Sequence, residues 1–197
     1  MQKWKWTLII IAAVFGITGC SGGSNLADAN TISVQKDGSI KQVIVEQFER
    51  SYYNVDELSE MAQKKIDQFN NGADNIVCDS IKTKDGKIIV EITYQTGTDY
   101  SDFNNRELFS GTVEEAEAKG YSLKHAVAVD GSDINEEQLA GIAQNHVLIV
   151  QTKEGEELDV KVYDKILYTS GNVIPSGKKD VYIGAEGEDM LSYIIFQ

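Results

Sequence analysis

Two cysteines and two histidines carry most of the reactive chemistry open to this 197-residue chain, and three of the four sit where packing is the default. Cys78 follows Ile76-Val77, an apolar context in which a thiol behaves as a small buried hydrophobe. His146 leads straight into Val147-Leu148-Ile149-Val150 and His125 into another β-rich run, so each reads as a packed or edge histidine. A hydrolytic triad needs a base beside its nucleophile, and no Gly-x-Ser-x-Gly elbow occurs. A zinc site needs three or four ligands at workable spacing, and neither His-x-x-x-His nor Cys-x-x-Cys is found. Oxygen ligands gather at 130–137 and 70–75, without the alternating spacing and central Gly of an EF-hand loop. Asp and Asn at helix ends act by default as caps. The 31 acidic residues offer many carboxylate pairs for glycoside chemistry, and none stands out. The nine tyrosines, Tyr52-Tyr53 among them, could line a glycan or peptide surface, with core or edge packing as the plain reading. There is no glycine-rich phosphate loop. No catalytic residue, metal or cofactor is expected, and an enzyme is not the leading reading. Cys20 differs from the other three, because its thiol stands at the end of an apolar run behind the small residues Thr18-Gly19.

The residues before Cys20 carry Lys3 and Lys5, no acid, and then an uncharged run from Leu8 to Ile17. A positive start, an apolar stretch and a small-residue site make a secretory signal. The run is about half the ~20 apolar residues a membrane-spanning helix needs. Ile17-Thr18-Gly19-Cys20 resembles the lipobox of bacterial lipoproteins at every position. That resemblance implies alkylation of the Cys20 thiol by diacylglycerol, cleavage just before it, and a lipid-anchored protein at the cell membrane facing outside. Two acyl chains at ~0.8 kcal/mol per buried CH₂ hold a protein stably, where one chain does not. The alternatives are an ordinary cleaved signal with Cys20 beside it by chance, and an uncleaved anchor. Residues 1–19 are thus read as the signal peptide and 20–30 as a flexible tether, beginning Ser21-Gly22-Gly23-Ser24-Asn25 after Cys20.

What remains, 178 residues, suffices for one domain with a real core or for two small lobes. Its 16 basic and 31 acidic residues give a net charge of −15. Such a surface repels phosphate backbones, which excludes nucleic acid as a partner class. It also repels anionic headgroups, so the lipid, not a basic patch, must hold the protein at the membrane. With Cys20 lipidated, Cys78 is alone and no internal disulfide can form.

The chain in order predicts the frame. Runs 31–34 and 40–48 flank Lys36-Asp37-Gly38-Ser39, a hairpin signal. Asn54 caps a helix over 55–70, where Val55, Leu58, Ala62, Ile66 and Phe69 form one apolar stripe with Met61 beside it. A second hairpin, 76–83 and 87–94, turns at Lys84-Asp85-Gly86. Residues 95–121 read as polar and broken, with a short helical segment from Thr98 and a capping box at Thr112 to Glu115. Asp133-Ile134-Asn135-Glu136 caps another short helix. Strands follow at 146–152, 158–163, 166–169, 179–183 and 192–196, the first of them buried and central by composition. The expected fold is α+β: a mainly antiparallel sheet of hairpins, the 55–70 helix packed on it, and a strand-rich C-terminal part that extends this sheet or forms a second layer. Residues 31–197 are read as one extracytoplasmic domain, with a sub-division near 121 left open.

The hairpin at the mature start, the acidic capped helix at Asn54 and the strand-rich end look like the small uncharacterised lipoproteins found in numbers in anaerobic Firmicutes. The resemblance implies a Gram-positive-type envelope and carries over no functional residue beyond Cys20. The expectation is a non-catalytic binding or structural role in the envelope, with an extracellular protein or glycan as partner. The alternatives are an envelope hydrolase using paired carboxylates, and an accessory solute-binding lipoprotein, for which the chain is short.

Overall fold

The computed structural model describes residues 28–48, 54–123, 126–129, 131–132, 135–184 and 190–197. Among them twelve strands and four helices alternate as β1 (Thr31–Val34), β2 (Ile40–Gln47), α1 (Val55–Asn70), β3 (Ile76–Lys84), β4 (Lys87–Tyr94), α2 (Gly97–Asn104), β5 (Leu108–Thr112), α3 (Val113–Ala118), β6 (Ala126–Ala128), α4 (Glu136–Gly141), β7 (His146–Thr152), β8 (Leu158–Lys161), β9 (Ile166–Ser170), β10 (Val173–Pro175), β11 (Asp180–Ile183) and β12 (Met190–Phe196). The fold is α+β and mainly antiparallel.

The turns act as their residues require. At the β3–β4 hairpin Asp85 and Gly86 both take positive φ, +51° and +73°. That two-residue geometry matches the twist of the flanking strands. In α1, the Asn54 side chain accepts from the Asp56 and Glu57 N–H groups. Asn71 closes the helix in the left-handed region. Thr112 and Glu115 form the reciprocal capping box that starts α3. At α4 the reciprocal pair is Asn135 with Gln138, whose side chains accept from each other's backbone N–H at 2.8 and 3.0 Å; Asp133 lies outside the described residues.

The C-terminal strands both extend the first sheet and build a second. One sheet runs β10-β11-β8-β1-β2-β4-β3 and the other β5-β7-β12-β9-β6. β1 and β8 pair in parallel, while the other pairings are antiparallel. β5 departs from the sequence reading, which gave 95–121 only helical segments. Leu108–Thr112 pairs with β7 instead, satisfying the backbone N–H and C=O groups on the edge of this buried strand that β12 leaves open.

The larger core lies between the sheets. Ile32, Val34, Ile40, Ile92, Tyr94, Val160, Val181 and Ile183 of the first face Leu108, Leu148, Val150, Ile194 and Phe196 of the second. The outer face of the second sheet forms a smaller core, where Phe109, Val147, Ile149 and Ile195 pack with Val113, Ala116 and Leu123. β7 is therefore covered on both faces, as its unbroken apolar run requires.

The stripe of α1 is covered unevenly. Ile66 is 2% exposed, whereas Val55, Leu58, Ala62 and Phe69 are half-buried and Met61 is 44% exposed. The C-terminal half of the helix is locked, since the Asn70 side chain donates to the Ile76 carbonyl at 2.8 Å and accepts from the Ile76 N–H at 3.0 Å. Phe69 meets Phe103 of α2 edge-on at 5.5 Å. Removing a fully buried Ile side chain costs about 2–5 kcal/mol. Ile66→Ala is therefore expected to lower unfolding free energy by that amount in a urea titration, and Leu58→Ala by less than about 1.5 kcal/mol. Equal losses would contradict the uneven cover.

Candidate functional site

Of the residues singled out by chemistry, Ile17, Thr18, Gly19, Cys20, Tyr52, Tyr53, His125, Asp130 and Asp133 lie outside the described residues. Cys78 is half-buried on β3, and burial, followed by the charge of Asp79, pushes its thiol up. A thiol held protonated is a poor nucleophile, which agrees with the packing reading. His146 is exposed at the start of β7, stacked on Phe196 at 5.7 Å and edge-on to Tyr163 at 5.4 Å. The oxygen-rich 70–75 loop is structural: Asn70 clamps Ile76, and Asn75 donates to Asp99 at 3.0 Å. Among the described residues no group of three or more His, Cys, Asp or Glu side chains is placed to hold a metal ion.

A cleft of about 500 Å³ lies between the first turn of α2 and β5. Gly97 permits the close approach, since a Cβ there would stand 2.9 Å from Leu108 Cδ2 and 3.2 Å from the Leu108 carbonyl oxygen. Ser101 seals the junction: its hydroxyl accepts from the Leu108 N–H at 2.9 Å and lies 3.0 Å from the Leu108 carbonyl. On the other wall the Tyr121 hydroxyl donates to Glu107 at 2.5 Å, Gln151 accepts from the Glu107 N–H at 3.1 Å, and the Lys119 ammonium stands 4.8 Å above the Phe109 ring. Burial, then the bond to Glu107, pushes the Tyr121 phenol up to about 12. These polar groups bond chiefly to one another. The arrangement offers recognition by hydroxyls and amides, with no nucleophile–base pair in it.

Arg106, which sequence reasoning missed, ties this region to the rest of the sandwich. Its Nη1 meets both Glu156 oxygens at 2.6 and 2.7 Å, with the two side chains 9% and 15% exposed. Glu156 also accepts from the Lys153 N–H at 3.0 Å. Burial pushes the Tyr100 phenol up to about 12, with the Arg106 charge acting the other way. Glu46 of β2 lies within reach of the same charge: burial first, and Glu156 second, raise its carboxyl. Two carboxylates in contrasting settings are what a paired-acid hydrolase would need. Neither Glu46 nor Glu156, however, is among the residues lining the cleft. An arginine beside a turn in an acidic chain was the available signal, because guanidinium is the cation best suited to a desolvated pair.

No family model matches the chain, and no curated protein matches it at a significant level. Among solved structures, the folded domain of LppM from Mycobacterium tuberculosis, determined by NMR, is similar over 89% of this chain and 96% of that one. The identity is 11% and the TM-score 0.39. At those values the likeness is too loose to transfer a fold, a site or a function.

Removing one member of a buried pair strands the other charge, at a cost of about 3–5 kcal/mol. Arg106→Ala is expected near the lower end of that range by urea unfolding, with the double change Arg106→Met, Glu156→Gln recovering most of the loss. Glu46 gives a pH signature. Its folded-state pKa lies above the unfolded value of about 4.3, so its contribution is fully present below that pH and falls as pH rises through the folded pKa. Glu46→Gln should therefore raise Tm at pH 7 and leave it unchanged at pH 3.5; a gain of the same size at both would remove the electrostatic account.

Proposed function

We propose that this chain is a lipid-anchored surface protein of a Gram-positive-type envelope, like the small lipoproteins of anaerobic Firmicutes, with a non-catalytic binding or structural role outside the membrane. One observation carries the reading: Ile17-Thr18-Gly19-Cys20 closes an apolar signal, and only the ten residues 21–30 separate it from β1. A tether of that length reaches roughly 35 Å at most. It keeps the sandwich within a short distance of the bilayer. No helix among the described residues is long and apolar enough to cross a membrane. The net charge favours cationic or neutral partners over phosphate polymers. The α2–β5 cleft, with hydroxyl, amide and carboxylate groups around an aromatic ring, is the surface through which an extracellular protein or glycan would be met.

The test is the intact mass of the protein taken from membranes of its own host, with a Cys20→Ala control. The expected result is a mature chain starting at Cys20 that carries two or three acyl groups, all lost in the control. A freely secreted chain without lipid would overturn the reading.

A further inference from the structure

The tether does not enter the fold at an edge. β1 occupies the fourth place of seven in its sheet, between β2 and β8. Though four residues long, it is paired along its length on one side, Thr31–Val34 against 43–40 of β2, and over three residues on the other, Thr31–Ser33 against 159–161 of β8. Asn30 extends both ladders by one step. Its carbonyl accepts from the Asp159 N–H at 2.9 Å, and its side-chain oxygen accepts from the Val45 N–H at 2.9 Å. One residue earlier the Ala29 carbonyl takes the Thr31 hydroxyl at 3.1 Å. Ile32 and Val34 point into the larger core and are almost wholly buried. Chain termini ordinarily fray unless a strand or helix ties them down. Here Asn30 is stitched to two neighbours before β1 begins.

Direction decides how such a strand gives way. Bonds of the antiparallel β2 ladder lie across the strand axis and those of the parallel β8 ladder run at a slant to it, so a pull along β1 from its N-terminus shears both ladders together. An edge strand pulled sideways loses its bonds one at a time. We propose that β1 is the strand through which the domain resists force: a pull between the tether and whatever the domain holds enters along β1, and the β2 ladder, the β8 ladder and the Asn30 clamp resist it together. The source of the pull rests on the lipid-anchor reading, whereas the mechanical response does not.

The response can be measured by single-molecule force spectroscopy on the full mature chain made without lipid. Handles would be placed at the Cys20 thiol and at Lys165→Cys, in a Cys78→Ser background, so that β1 is drawn against β8. Asn30→Ala is expected to lower the most frequent unfolding force by about a third. Asn30→Asp, which keeps the accepting oxygen, should restore it. Ile66→Ala, the larger loss in urea, should leave the force within about a tenth of the parent. Forces that follow urea stability across the three variants, or an equal loss in Asn30→Ala and Asn30→Asp, would overturn the proposal. A lipid-free mass result would overturn the anchor and leave these forces unchanged, so the two failures are distinguishable.

Discussion

The central strands of the second sheet are apolar on both faces, and much of the architecture follows from covering them. Four consecutive apolar residues in β7, with Tyr193 to Phe196 of β12 beside them, must be shielded above and below. The first sheet supplies one cover. The other comes from α3 and the segment to Leu123. Both covers are drawn from sequence that frames the strands on either side, so neither sheet is complete without distant parts of the chain. Burial of apolar area at roughly 25 cal/mol per Å² is the main favourable term, and here a disulfide does not add to it, since Cys78 is free.

Polar contacts then fix which parts meet. Arg106 and Glu156 are fifty residues apart and join the α2–β5 turn to the β7–β8 loop. Near them, Asn104 donates to the Tyr94 hydroxyl at 3.1 Å, and that hydroxyl donates to Gln42 of β2 at 2.7 Å. Buried polar groups of this kind add little net energy when satisfied and cost much when stranded. They favour one arrangement of α2 against the first sheet over slipped alternatives. The cleft described above is a by-product of that placement, because Gly97 and Ser101 set how closely the helix meets β5.

Local signals in the sequence translated well. The bounds of α1, the Asp85-Gly86 turn and the Thr112–Glu115 box each depend on residues within four positions of one another, and each appears as read. Long-range choices were not legible. Nothing in Leu158–Lys161 announces a parallel partner in β1, and nothing in Leu108–Thr112 distinguishes an edge strand from a helical turn until β7 lies beside it. The α1 stripe predicted a covered helix, but how far the sheet reaches beneath it is a property of β3 and β4. Arg106 was overlooked because its partner is not local. Ile17-Thr18-Gly19-Cys20 is the opposite case: the anchor proposed from it is read wholly from adjacent residues.

The margins of the two sheets have a colloidal consequence. β3 carries a register break between Cys78 and Ser80 and charged Lys82 and Lys84, and Asn70 occupies the Ile76 backbone groups. Along β5, Ser101 takes the Leu108 groups and Glu115 the Thr112 N–H. β10 ends in Pro175 after three residues, and β6 is equally short. Open margins would let one molecule template the next. Under the proposed anchor, molecules share a leaflet and meet in two dimensions at high local density. Interrupted margins and a strongly negative exterior let such a layer crowd without zipping into sheets.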